Sequence, residues 1–97
     1  MKEKTADILQ RVKEHVRNGT YVLVKHALER QLQKKIDLVG VLRVLSHGRH
    51  EKEKDEFDVK NQKWKHAIRG KTIDGIDLRV IVAFQEAMVI ITVMRVR

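Results

Sequence analysis

Ninety-seven residues with no cysteine, no proline and 21 basic against 13 acidic side chains give a formal charge of +8 and a pI near 10.1. The length suits one domain spanning residues 1–97. The missing thiols exclude disulfides and cysteine-based metal sites, and a hydrophobic content of 42% is enough to build a core.

Thr5 to Asn18 reads as a helix, with Thr5 as N-cap, Ile8, Val12 and Val16 on one stripe, and Gly19 as the stop. Thr20 to Val24 is β-branched and aromatic and predicts a short strand. His26 to Lys34 is helical by pattern, with Ala27, Leu28 and Leu32 on its apolar side. Asp37 can cap a further helix, Leu38 to Ser46, which Gly48 ends.

From His50 the period changes. Residues 51–58 alternate charges and read as a weak strand or a solvated arm. Trp64 to Lys71, Asp77 to Phe84 and Met88 to Val96 read as strands, joined at Asp74-Gly75 and at a tight Gln85-Glu86-Ala87 turn. Helices first and an antiparallel meander after them predict an α+β domain, with two to three N-terminal helices packed on one face of a C-terminal antiparallel sheet. No apolar run is long enough to span a membrane and no signal peptide is seen, so the expected setting is a reducing cytoplasm.

The charge is unevenly spread. Residues 1–48 carry a net +5, residues 49–58 a net −2, and residues 59–97 a net +5. The acidic island is expected either to repel a polyanion locally or to bind a basic partner. The last third places Lys65, His66, Arg69, Lys71, Arg79 and Arg95 on or beside its strands. A small basic sheet of this kind is expected to hold an anion, with a nucleic-acid backbone foremost.

Strand parity sharpens the expectation. If Asp74-Gly75 is a two-residue turn, Arg79 lies opposite Gly70 and Ala83 opposite His66. If the last hairpin also has a two-residue turn, one face becomes Val80, Val82, Phe84, Val89, Ile91 and Val93. The other carries His66, Arg79 and Thr92 among Ile68, Ile81 and Met94, while Arg69 and Arg95 fall on the apolar-face parity near strand ends. An arginine fork can hold phosphate oxygens and stabilise a phosphorane, and a histidine can move protons. The competing role for Arg79 is an ion pair with Asp77 or Asp74. His26 and Arg30 sit one helical turn apart, and a helix start favours a neutral imidazole suited to a general base. His47 and His50 with Glu51 lie in a loop that no second cluster completes, so no metal is expected. Gly70-Lys71-Thr72 lacks the leading glycines of a phosphate loop. Trp64 and Tyr21 are expected in core packing rather than in base stacking.

The order of elements resembles the RelE-like (BECR-fold) ribonuclease toxins of bacterial toxin–antitoxin modules, and more narrowly their small uncharacterised relatives and the MqsR branch. The resemblance covers roughly residues 20–96. It rests on His26-x-x-Glu29-Arg30, on Gly48 after the last helix, and on Leu78-Arg79-Val80-Ile81-Val82 followed by Val89-Ile90-Ile91-Thr92-Val93. It implies metal-independent and cofactor-free cleavage of mRNA, free or ribosome-bound, leaving a cyclic phosphate. It also implies a cognate antitoxin protein as partner. Position by position, Arg79 matches a strand cation that binds the scissile phosphate, Arg95 a basic residue near the C-terminus, and Thr92 a hydroxyl of the last strand. His26 and Arg30 match a helix-borne pair. A tyrosine of the pattern is missing from the last strands, which leaves His26 or His66 as base. Lys65, Arg69, Arg30 and Arg95 are the expected substrate contacts. The alternative is a small basic domain that binds nucleic acid or a partner protein without catalysis.

Overall fold

The computed structural model describes residues 8–25, 27, 29 and 36–96. Its elements are α1 (Ile8–Asn18), β1 (Tyr21–Leu23), α2 (Leu38–His47), β2 (Arg49–His50), a 3-10 turn (Lys52–Lys54), β3 (Glu56–Asp58), β4 (Lys63–Lys71), β5 (Asp77–Phe84) and β6 (Met88–Arg95). Lys25, Ala27 and Glu29 are helical and Ala27 is buried. The remainder of the expected 26–34 helix, with His26 and Arg30, lies outside the described residues, as does the Thr5 cap. No helix among the described residues is long and apolar enough to cross a membrane.

The fold is α+β, and its sheet is mixed rather than purely antiparallel. Strand order is β1-β6-β5-β4-β2, with β3 pairing the other end of β4. The exception to the expected meander is β1, which runs parallel to β6 through Tyr21↔Met88 and Leu23↔Ile90. Ile8 and Val12 of α1 and Val41, Val44 and Leu45 of α2 join Ile68, Leu78, Val80, Val82, Ile90 and Val93 in one buried cluster. Burying one such branched side chain is worth about 1.5–3 kcal/mol, so this layer is the main source of stability. Asp37 caps α2 as expected: its Oδ1 accepts from the Gly40 N–H at 2.8 Å. Such a cap contributes about 1 kcal/mol.

The register of the meander corrects the sequence-based faces. The β4–β5 turn has three residues, Ile73, Asp74 and Gly75, not two. Thr72 N–H donates to the Ile76 carbonyl at 2.9 Å, and Gly75 N–H to the Thr72 carbonyl at 2.9 Å. Gly75 takes φ +85°, the left-handed residue that a three-residue hairpin loop needs. One extra residue in the turn flips every face by one position. Arg79 therefore lies opposite Arg69 rather than Gly70, and His66 opposite Val82 rather than Ala83. His66 is thus on the helix-covered face and Arg69 on the open one, each the reverse of the expectation.

A second irregularity lies between β5 and β6. Ile81 pairs with Thr92 but Val82 with Ile90, which leaves Ile91 as the extra residue. Met88 and Ile90 are buried in place of the expected Val89 and Ile91, while Val80, Val82 and Val93 hold their expected places. Beyond the irregularity Thr92 and Met94 stay on the face of Ile81 and Arg79, as expected.

Candidate functional site

The chain between β2 and β3 determines how the polar groups are arranged. Both strands pair with β4, at Arg69–Ile68 and at Lys65–Lys63 respectively. Residues 51–55 bow out between them. The β4 ladder is completed there by unlike partners: Ala67 carbonyl accepts from Glu51 N–H at 2.8 Å, and Ala67 N–H donates to Asp55 Oδ1 at 3.0 Å. The segment delivers one carboxylate to the arginine row and another to a pair of histidines.

On the open face, Arg49, Arg69 and Arg79 form a row across β2, β4 and β5. Three guanidinium groups side by side require a counter-ion, and Glu51, 2% exposed, supplies it. Arg79 donates from Nε to Oε1 at 2.6 Å and from Nη2 to Oε2 at 3.2 Å, and Arg69 Nη1 donates to Oε2 at 3.1 Å. Arg49 Nη2 stands 3.9 Å away. Asp77 grips the other edge of Arg69, accepting from Nε at 3.0 Å and Nη2 at 2.9 Å. The hydrogen bonds from Arg79 outweigh the burial that opposes ionisation and, with those from Arg69, hold the Glu51 carboxyl down at about 2. Arg69 holds Asp77 low as well. The ion pair weighed for Arg79 is therefore present, but its partner is Glu51. Asp77 goes to Arg69.

Beside this network the open face carries a cleft of about 270 Å³. Lys54, Glu56, Lys65, Arg79 and Thr92 supply its polar groups, and Ile81, Ile91 and Met94 its apolar floor. The cleft gathers three expected site residues, Lys65, Arg79 and Thr92. Arg69 sits next to Arg79 but is engaged on both sides. Arg95 is exposed opposite Leu78, on the helix-face parity expected of it. His26 and Arg30 lie outside the described residues. Lys54 and Glu56 went unnoticed in the sequence, and Glu51 was weighed only beside His47 and His50, because a charge run offers no parity signal until its pairing strand is known.

On the other side of β4, His50, Asp55 and His66 form a buried cluster. Asp55 Oδ2 accepts from His50 Nε2 at 2.8 Å and from His66 Nδ1 at 2.9 Å, with side-chain exposures of 5%, 1% and 5%. An ionised carboxylate accepts only, so each ring nitrogen turns its hydrogen towards it. Burial pushes the Asp55 carboxyl up, but hydrogen bonds from Ala67 N–H, His66 and His50 together hold it below the usual carboxylate range. The sequence associates His50 with His47 and Glu51. The fold brings it to Asp55 and His66 instead. His66 also lines a cleft of about 220 Å³ with Arg11, Lys63, Trp64 and Phe84. Arg11 stacks 4.0 Å over the Phe84 ring. Tyr21 packs on the core, as expected, whereas Trp64 lies outside the buried cluster and packs edge-on against the exposed Phe57 at 5.4 Å.

The family described as a domain of unknown function, DUF4258, matches residues 23–95. The chain belongs to that family. The DUF4258 span begins at the last residue of β1 and runs to the end of β6, so the arginine row, the cleft and the histidine cluster all fall inside it, while α1 lies outside. No curated protein and no solved structure matches the chain.

Proposed function

We propose that the protein binds RNA through the open face and cleaves it there, in the manner of the RelE-like toxins it resembles, until an antitoxin covers that face. The observation that carries this reading is the cleft that gathers Lys54, Lys65, Arg79 and Thr92 beside an apolar floor. Glu51 holds Nε and Nη2 of Arg79, which orients the guanidinium and leaves Nη1 as the donor for a phosphate oxygen. Lys65, Lys54 and the Thr92 hydroxyl supply further donors. Glu56, the cleft's carboxylate, takes the proton of the ribose 2′-hydroxyl as that oxygen attacks phosphorus. The P–O5′ bond breaks, Lys65 protonates the departing oxygen, and a 2′,3′-cyclic phosphate remains. His66 has no part in this scheme, because it lies on the opposite face.

A second reading, binding without cleavage, is favoured by the Glu51 clamp and by the position of His66 away from the cleft. The two readings separate cleanly. Lys65→Ala and Thr92→Val leave the Glu51 network untouched. Expression of the parent chain in a bacterium is expected to arrest growth and cut transcripts, and Thr92→Val to lower cleavage by about 10- to 100-fold while RNA affinity changes little. Purified protein at 0.15 M salt reads the binding directly: Lys65→Ala should weaken it uniformly across sequences and flatten the dependence on salt by close to one ion. Intact RNA with salt-sensitive binding supports the second reading. No RNA affinity at that salt removes both.

A further inference from the structure

We infer that His50, Asp55 and His66 form a binding site for one divalent transition-metal ion of the zinc class, on the helix-covered side of β4 and independent of the open-face reading. Three donors of the kind zinc prefers, two imidazole nitrogens and one carboxylate oxygen, converge with all ligand atoms within 4.8 Å of one another. They come from three places in the chain. His50 lies on β2, His66 on β4, and Asp55 closes the bow between β2 and β3. The backbone pairing of β2 and β3 with the same strand therefore fixes their separation before any ion arrives.

The distances suit exchange of hydrogens for a metal. In a tetrahedral site with bonds of about 2.0–2.1 Å, neighbouring donor atoms stand roughly 3.3 Å apart. Here the carboxylate oxygen is 2.8 Å from His50 Nε2 and 2.9 Å from His66 Nδ1. An opening of about 0.5 Å makes the room. The hydrogens that face Asp55 then move through solvent to the opposite ring nitrogens, leaving lone pairs to coordinate and no net change in imidazole charge.

The orientation of the carboxylate is already set. Asp55 Oδ1 is held by the Ala67 N–H at 3.0 Å, so Oδ2 is the oxygen presented to the histidines. Three protein donors leave a fourth position for water or a small ligand. The cleft at His66 offers a way in, and its Arg11 and Lys63 favour an anionic fourth ligand.

The test uses the full, untagged chain stripped with a chelator and titrated with Co²⁺ and then Zn²⁺. One equivalent of Co²⁺ per chain is expected, with the intense visible absorption of four-coordinate cobalt, which Zn²⁺ then displaces. Asp55→Asn and His50→Gln should each lower affinity by about 100-fold or more, beyond the loss that outer partners alone bring. His47→Ala, at the exposed end of α2, should leave it unchanged. Nitrogen-detected histidine NMR of the parent chain keeps the test decisive should the variants misfold: Zn²⁺ should move the ring nitrogens of His50 and His66 and those of no other histidine. Substoichiometric binding, an octahedral cobalt spectrum, or shifts confined to other histidines would overturn the assignment.

Discussion

Glu51→Gln is expected to move stability and polyanion affinity in opposite directions. The change keeps the shape of the side chain but removes the charge that faces Arg79, Arg69 and Arg49. Breaking a buried pair by neutralising one partner costs about 3–5 kcal/mol, because the surviving charges stay desolvated. Arg69 and Arg79 are partly exposed and Arg69 keeps Asp77, so a loss of about 3 kcal/mol is the expected result in urea unfolding. The freed guanidiniums would then bind phosphate more tightly, and RNA affinity at 0.15 M salt should rise by about tenfold. A variant that loses both stability and affinity would mean that Glu51 organises the open face rather than restraining it.

The same carboxylate sets an acid limb. Its folded-state value, about 2, lies below the ordinary 4.5, so its contribution is full above pH 4.5 and is lost as pH falls towards 2. Asp55 and Asp77 are lowered too and act in the same direction. The parent should lose stability steeply between pH 4.5 and 2, and Glu51→Gln should show a shallower limb.

Gly48→Ala should be the most damaging glycine-to-alanine change. A Cβ at that position would stand 2.5 Å from both the Arg69 and the Val44 carbonyl oxygens, and neither is a side chain that can swing away. Gly48 N–H also bonds the Val44 carbonyl at 2.7 Å, so relief requires breaking the end of α2 or parting β2 from β4. A loss of about 3 kcal/mol, roughly 12–24 °C in Tm for a domain of this size, is expected by calorimetry. Gly75→Asn is the control: its φ of +85° tolerates asparagine and no atom lies within 4 Å of the added carbon, so less than about 1 kcal/mol should be lost. Similar effects at both positions would show that β2 and β4 part readily to admit the methyl.

Local signals in the chain carried as far as local physics reaches. The Asp37 cap, the Gly19 and Gly48 stops, and β5 with both its ends could be read because each depends on neighbours within a few residues. Register could not, since Asp74-Gly75 invites a two-residue turn, and only the Thr72 bonds across the loop show that Ile73 belongs to it. That one residue exchanged the faces of His66 and Arg69. From sequence, the acidic island of residues 49–58 is expected to repel a polyanion or to bind a basic partner. Its Glu51 is in fact an internal counter-ion and its Asp55 a buried hydrogen-bond acceptor, roles set by how β2 and β3 share β4, which no spacing within residues 49–58 encodes. The parallel pairing of β1 was equally hidden, since a strand of three residues carries no mark of its direction.

That pairing has a kinetic side. Tyr21 meets Met88, 67 positions further along the chain (88 − 21), whereas β4, β5 and β6 meet through turns of three residues. Closing so large a loop is entropically slow, and the hairpins need no such search. Until β1 docks, β6 presents an unpaired edge that runs through Val89 and Ile91, and a bare apolar edge is a template for strands of other molecules. Refolding yield should therefore depend on protein concentration more than on anything in the finished core.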